Sequence, residues 1–479
     1  MKPDENLTQL SIDEIQRDPT LRMDVPYWTN YAVDFNQSSQ FDIVPLSKIG
    51  TTIYDKIDLN EPKEEYRTFI ITYSGSIVLN EPLSLVEINP KKFKVVTEND
   101  IVFSRINCCR GSISVVSSEQ LGSICTNETH IFRITDDSVE PVYLVNILRH
   151  SYYQDLILSK STGASIERMR FHEDELLKFE VPIPPRETQL SLIEKIRLID
   201  EEMQKSQYEI IDIKNNINDY LRSELEIEIE NYEDMNEDGY GLLLDRVFES
   251  NNFRLDYEHH RLEYDQISKI YDGKYDVYKI NDEGILINKI RSGGTPDGGI
   301  YHLEGIPFLR AGNVLENKLH IDELLKVSND FHIKQNRGKI SGNEVLVTIA
   351  GTIGRSGIND RILDGNVNQA IAILEVNKNR ILPLFLSSFL NSPAGQIQFD
   401  KHRHDFGTPN INTTELGNLL IPVPPMPDQE KIVSYIQKKE DSILIHEYNL
   451  NQLLTKRKET ITEFILGKKV YYEILERLK

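Results

Sequence analysis

The sequence predicts an α+β protein in which two duplicated globular domains are separated by a long antiparallel two-helix coiled coil. Three observations carry that expectation. A proline strap occurs twice, as Val181-Pro182-Ile183-Pro184-Pro185 and, 240 residues on, as Ile421-Pro422-Val423-Pro424-Pro425. Each strap leads into a long segment whose apolar residues recur near every 3.5 positions. The short β-branched runs ahead of each strap repeat in the same order. Self-similarity at a fixed offset sets the architecture before any local assignment does.

In chain order, the expected parts are a helical N-terminal segment (1–30), a first globular domain (31–185) and a central spacer helix (186–235). A linker repeating the N-terminal segment (236–262), a second domain (263–426) and a C-terminal spacer helix (427–479) follow. The N-terminal repeat rests on Leu21-Arg22-Met23-Asp24 recurring as Phe253-Arg254-Leu255-Asp256. In the first domain Thr68 to Tyr73, Ile101 to Ser104, Ser112 to Val116 and Ile131 to Ile134 read as strands. Pro141 to Leu148 reads as a helix, because a proline at the first position has no N–H to leave unpaired. In the second domain Glu344 to Thr348 stands for Asp100 to Ser104, at an offset of 244. Asn368 to Ile373 stands for Asn127 to Phe132 (offset 241), and the helix at Pro383 for that at Pro141 (offset 242).

Prolines fix their own φ and push the preceding residue towards extended conformations, so each strap is stiff and cannot be helical. The first helix has Ile193, Ile196, Ile199, Met203, Ile210, Ile213, Ile217, Tyr220 and Leu225 on its stripe. The second has Ile432, Ile436, Ile443, Leu450, Leu453, Ile461 and Phe464. A single apolar stripe on so long a helix needs a partner along its length, and the other helix is the economical one.

At 479 residues the chain is too long for one core. The first residues lack the blocks of a signal peptide, and no apolar run approaches the ~20 residues of a membrane helix. Three cysteines (Cys108, Cys109, Cys125) make neither a disulfide framework nor a four-ligand zinc site, which points to a cytoplasmic address. The net charge of −22 at first argues against nucleic acid. Residues 186–239 hold 6 basic against 16 acidic side chains, however, so nearly half the excess lies in helix and linker. The run from Glu224 to Asp238 reads as a solvated face, and each domain is neutral enough to carry a basic surface.

Catalytic signatures are scarce. Gly351-Thr352-Ile353-Gly354-Arg355-Ser356-Gly357 is glycine-rich but lacks the Gly-Lys-Ser/Thr ending of a phosphate loop, and reads as a tight connection between strands. Asp297 followed by Glu316-Asn317-Lys318 loosely fits a Mg-dependent nuclease. What remains are polar, basic loops. Arginine and asparagine read guanine and adenine edges, and lysine and arginine neutralise phosphate. The candidate DNA-binding residues are Arg67, Arg105, Asn107, Arg110, Arg168 and Arg170 in the first domain. In the second they are Arg291, Thr295, Arg310, Asn313, Arg355, Lys401 and Arg403. No catalytic or metal-binding residue is assigned.

The doubled strap-plus-helix, Ser292-Gly293-Gly294-Thr295-Pro296 with Gly305-Ile306-Pro307-Phe308, and Val347 to Arg355 together resemble the specificity subunit of type I restriction–modification systems over nearly the whole length. The resemblance implies two target-recognition domains, each reading half of a split site in double-stranded DNA. It implies helices that bind modification (methyltransferase) subunits, two of them, and a complex completed by restriction (translocase/nuclease) subunits. This chain would then be a non-catalytic, cytoplasmic part of a DNA-methylation and phage-defence system. It would bind no cofactor itself, the partner subunits using S-adenosylmethionine, ATP and Mg. Asn313 stands where the family commonly has aspartate, and Cys108-Cys109-Arg110 replaces the glycine-richer turn of the second domain. The alternatives are a scaffold that pairs two protein-binding domains without touching DNA, and the Mg-dependent nuclease.

Overall fold

The computed structural model describes residues 39–55, 65–84, 92–162, 170–229, 262–404 and 408–467, apart from a few single positions within them. The N-terminal repeat (Leu21 to Asp24, Phe253 to Asp256) and Arg168 lie outside the described residues. The chain divides into two compact units, residues 1–206 with 448–479 and residues 207–447. Each long helix thus contributes to both.

In the first unit, strands β1 (Ile43–Pro45), β2 (Gly50–Thr52), β3 (Glu65–Ile71), β4 (Ile77–Ser84) and β5 (Lys94–Val95) precede β6 (Ile101–Ser104) and β7 (Ile113–Val115). Then come β8 (Ile124–Cys125), β9 (Thr129–Ile134), helices α1 (Pro141–Leu148) and α2 (Ser151–Ser159), β10 (Glu180–Pro182) and the long α3 (Arg186–Leu225). Two four-stranded sheets form, ordered β2-β9-β6-β7 and β4-β3-β8-β5, while the strap strand β10 pairs with β1.

The second unit repeats this design. Its strands are β11 (Val277–Lys279), β12 (Ile287–Ser292), β13 (Ile306–Leu309), the hairpin β14 (Val314–Leu315) and β15 (Lys318–Leu319), β16 (Leu325–Val327) and β17 (Lys339–Ile340). They continue with β18 (Val345–Thr348), β19 (Ser356–Ile358), β20 (Gly365–Val367) and β21 (Ile371–Val376). Helices α4 (Pro383–Asn391) and α5 (Pro393–His402), β22 (Leu420–Pro422) and α6 (Met426–Leu466) complete it. The sheets are ordered β12-β21-β18-β19 and β16-β13-β20-β17, and β22 pairs with β11. Position for position this is the first unit's pairing, with the hairpin added.

The duplication extends to register. Alternate residues of a strand face opposite sides, so the central strands are apolar on both faces. Ile101 and Phe103 of β6 join the core beneath the helices, while Val102 joins the one between the sheets. Val345, Val347 and Leu346 of β18 divide in the same way. Ile101 pairs with Phe132, and Val345 with Leu374. Phe132 therefore corresponds to Leu374, an offset of 242 and not the expected 241. A one-residue slip would have turned every side chain of the strand to the wrong layer.

A buried glutamine explains what the straps do. Gln189 and Gln429, each five residues past the first proline of its Pro-Pro pair, are fully buried. The Gln189 side chain donates from Nε2 to Ser138 O (2.9 Å) and Pro184 O (2.8 Å), and accepts at Oε1 from Glu140 N (2.9 Å). Gln429 donates to Arg380 O (2.9 Å) and Pro424 O (2.8 Å), and accepts from Leu382 N (2.8 Å). Each glutamine thereby clasps its strap to the entry of the helix that begins at Pro141 or Pro383.

The long helices run antiparallel to each other within each unit. In the first, Arg457 donates to Asp200 (2.7 Å), and Leu192 and Ile196 share a core with Ile461 and Ile465. In the second, Tyr220 stacks on Tyr435 at 3.9 Å between ring centroids, and Lys431 pairs with Glu224 at 2.8 Å. Helix α3 stops at Leu225, short of the expected 235; at 1.5 Å per residue it spans about 60 Å. Beyond it, Glu226 takes a positive φ of 53°, and Ile227 and Ile229 are buried while Glu226 and Glu228 are exposed. The described part of the acidic run, Glu224 to Ile229, is thus not a plain solvated face, and its remainder lies outside the described residues. Its isoleucines alternate inward into the second unit's core.

Candidate nucleic-acid interface

In the first unit the candidate residues fall into two groups. Arg105 ends the stretch after β6, its N–H donating to Glu128 O (2.9 Å) and its carbonyl accepting from Phe171 N (2.9 Å). Arg170 pairs with Glu128 at 3.2 Å, with both side chains about half exposed. Arg105 and Arg170 are thus brought to one loop cluster. Beneath it His130 bonds Phe171 O through Nε2 (3.2 Å), and burial pulls its pKa down to about 4, with Arg105 adding to the effect.

The second group centres on the turn after β6. Asn107 opens a short 3-10 turn, Cys108–Arg110, accepting at its carbonyl from Arg110 N at 2.9 Å. Arg110 is exposed, and its guanidinium donates to Tyr73 Oη (3.2 Å) and lies 5.6 Å from the ring centroid. Tyr73, which sequence reasoning did not single out, sits at the tip of the β3–β4 hairpin and is 54% exposed. Arg67 is exposed on β3 opposite Pro82, where the ladder register shifts.

In the second unit Thr295 and Arg310 converge on one turn. Thr295 donates to Gln369, and Asn368 N donates to the carbonyl of Leu309, which precedes the exposed Arg310. Lys401 and Arg403 lie at the end of α5, Lys401 in its last turn and Arg403 exposed just past it. Nearby, His404 is tied to Glu415 at 2.7 Å.

Three of the expected sites are engaged in contacts within the fold. Arg291 has its guanidinium engaged within the fold. Its side chain is only 12% exposed and pairs with Glu375 (2.7 Å) while donating to Arg337 O (3.0 Å) and Lys339 O (2.8 Å). It braces β12 against the other sheet. Asn313 likewise uses both ends of its amide inside its own turn, accepting from Arg310 N (2.8 Å) and donating to His320 O (3.1 Å). The Glu316-Asn317-Lys318 stretch, the core of the nuclease alternative, is the tip of the β14–β15 hairpin and is stapled to the long helices. Glu316 pairs with Lys214 (2.6 Å), Lys318 with Glu447 (2.6 Å), and Asn317 donates to Glu440 (2.9 Å), whose pKa is raised by burial. Arg355 lines the same cavity between hairpin and helix. Among the described residues no cluster of three or more His, Cys, Asp or Glu is arranged to hold a metal. The glycine-rich turn before Arg355 joins β18 to β19, as a tight connection between strands should.

Residues 272–456 match the family of the type I restriction modification DNA specificity domain. The chain is 29% identical over 168 residues to the type I restriction enzyme EcoBI specificity subunit of Escherichia coli, a match spanning 34% of this chain and 35% of that one. It is 21% identical, over 97% of each chain, to the putative type I restriction enzyme MjaX specificity subunit of Methanocaldococcus jannaschii. The chain is thus similar to type I specificity subunits, with the DNA specificity domain matched over residues 272–456. The solved HsdS subunit from Thermoanaerobacter tengcongensis is 14% identical, with 89% of this chain and 97% of that one covered and a TM-score of 0.36. Among the described residues no helix is long and apolar enough to cross a membrane.

Proposed function

We propose that this chain is the non-catalytic DNA-reading subunit of a type I restriction–modification complex, each unit reading one half of a bipartite site. One observation carries the reading: a single scaffold, repeated strand for strand and clasp for clasp, presents two sets of exposed basic loops that differ in sequence. Two equivalent scaffolds with different loops suit two different half-sites. Arg105, Arg110 and Arg170 face DNA in one unit, and Thr295, Arg310 and Arg403 in the other. The match to a DNA specificity domain favours this over a scaffold that binds only proteins.

The partners are two modification subunits seated on the long helices, and restriction subunits beyond them. In the second unit both helices carry exposed large apolar side chains, Tyr208 and Ile211 on α3 and Leu444 and Ile445 on α6, which suits a protein partner. S-adenosylmethionine, ATP and Mg belong to those subunits, and the complex works in the cytoplasm. The test is to exchange residues 263–420 for those of another family member and map methylation in cells holding the modification subunits. One half of the methylated motif should change and the other persist; a change in both halves would refute independent readers.

A further inference from the structure

The β3–β4 hairpin tip and the Cys108–Arg110 turn come from distant parts of the first unit's sequence, yet they are pressed into one exposed platform. Gly111 has φ 97°, and a Cβ there would stand 2.7 Å from Tyr73 O. Gly75 has φ 80°, and a Cβ there would meet Arg149 Cζ at 2.6 Å. Only glycine fits at either position, so the backbones touch without an intervening side chain. The hairpin turn is closed by its own hydroxyls: Ser76 N donates to Thr72 Oγ1 (3.0 Å), and Thr72 Oγ1 bonds Ser74 Oγ (2.7 Å). From below, the largely buried Arg149 donates to Tyr73 O (3.5 Å).

On this platform stand Tyr73 and Arg110. The Arg110 Nη1 bond to Tyr73 Oη uses one edge of the guanidinium and the cation–π contact fixes its plane. Among the described residues no ion pair links Arg110 to a carboxylate. A tethered arginine loses little rotamer freedom on binding, and its remaining N–H groups match a pair of acceptors such as guanine O6 and N7 or two phosphate oxygens.

We propose that Tyr73 and Arg110 form one coupled DNA-contacting unit of the first recognition domain, Arg110 as the contact and Tyr73 as the residue that positions it. This rests on the DNA-reading function proposed above. The experiment uses the full chain assembled with its modification subunits, mixed-sequence duplex DNA across a salt series, and methylation mapping. Wild-type binding that falls steeply with salt is the precondition, and its absence would count against the DNA-reading function itself. Given that binding, Arg110→Ala should weaken it roughly 10- to 100-fold with thermal stability unchanged. Tyr73→Phe, which keeps the ring and removes the hydroxyl, should weaken it less. The double variant should be no weaker than Arg110→Ala alone, because Tyr73 acts through Arg110. Loss of discrimination at one position of the first half-site identifies a base edge, and a salt slope reduced by about one identifies a phosphate. Additive effects of the two substitutions, or wild-type affinity in Arg110→Ala, would overturn the proposal.

Discussion

Replacing Gln429 by leucine tests whether the straps are clasped as described. The substitution keeps the volume and removes three buried hydrogen bonds, to Leu382 N, Arg380 O and Pro424 O. Each such bond is worth about 1 kcal/mol net, and an orphaned buried N–H costs ~1–3 kcal/mol. The two carbonyls lose less, since each retains a second lone pair. The expected loss is about 3–4 kcal/mol, a large part of the ~5–15 kcal/mol that holds a domain together. Two units in one chain make a single two-state fit unsafe, so hydrogen exchange resolved to residues 377–391 is the better assay. Exchange at the Leu382 amide should accelerate first, followed by α4, while α1 in the other unit stays protected. Gln429→Glu should be worse, because a carboxylate oxygen would then face two carbonyls. Exposed Glu430, changed to glutamine, serves as the control. Unchanged protection at Leu382 in Gln429→Leu would refute the clasp.

Two further outcomes are expected. His150 caps α2 by accepting from Tyr152 N (3.3 Å) and bonds Thr462 Oγ1 through Nε2 (2.9 Å); burial, with Lys458 and Arg457 nearby, pulls its pKa down to about 3. His130 is pulled down to about 4. Both are neutral when folded and take up a proton near pH ~6.5 when unfolded. The stability they contribute is complete above that pH and is lost as pH falls towards 4 and 3, by about 2 kcal/mol per histidine at pH ~5. Melting of the first unit against pH should show this slope, and His150→Gln should remove its share. Arg291→Ala should cost about 1–3 kcal/mol of stability by removing the donor to two carbonyls and to the partly exposed Glu375, whereas Arg310→Ala should leave melting within ~0.5 kcal/mol and weaken duplex binding by ~1–3 kcal/mol. Calorimetry with duplex titration separates the two, and equal effects on both readouts would refute the division of roles.

Period and punctuation made the fold legible. The straps, the helix-opening prolines and the apolar stripes each mark an element by a local rule. The stripe differs slightly from its sequence period: Leu192 is buried and Ile193 only partly, because a step near 3.5 residues admits either neighbour. The alternation of Ile227 and Ile229 escaped notice because glutamates between isoleucines look like a charge run until a core is known to lie on one side. The site was less legible, for a different reason. Composition shows which loops are basic but not which arginines have partners. Arg291 and Arg310 look alike in sequence, yet one is mostly covered and paired with Glu375 and the other is exposed. Tyr73 left no signal, since its role depends on a turn 35 residues away in the chain.

The two units show which parts of such a scaffold are free to change. Two of the places where they agree are each built on a buried polar side chain. The two glutamine clasps agree, and so do the turns before β6 and β18. Asn99 (φ 69°) and Asn343 (φ 73°) both take the left-handed conformation there. Each is followed by an acid that bonds back to the turn's first residue, Asp100 to Thr97 (2.8 Å) and Glu344 to Ser341 (2.6 Å). A buried polar group without its partner costs more than the bond itself contributes, so such a pair tolerates change only when both members change together. Where the units differ, as between Cys108-Cys109-Arg110 and the glycine-rich turn before Arg355, the loops carry few such obligations. Exposed loops on a buried polar frame can therefore diverge towards different DNA contacts without unfolding the domain. The same arithmetic applies to Arg291, whose guanidinium ties β12 to Glu375 and to the carbonyls of Arg337 and Lys339, so its contacts within the fold constrain it as an exposed loop arginine is not.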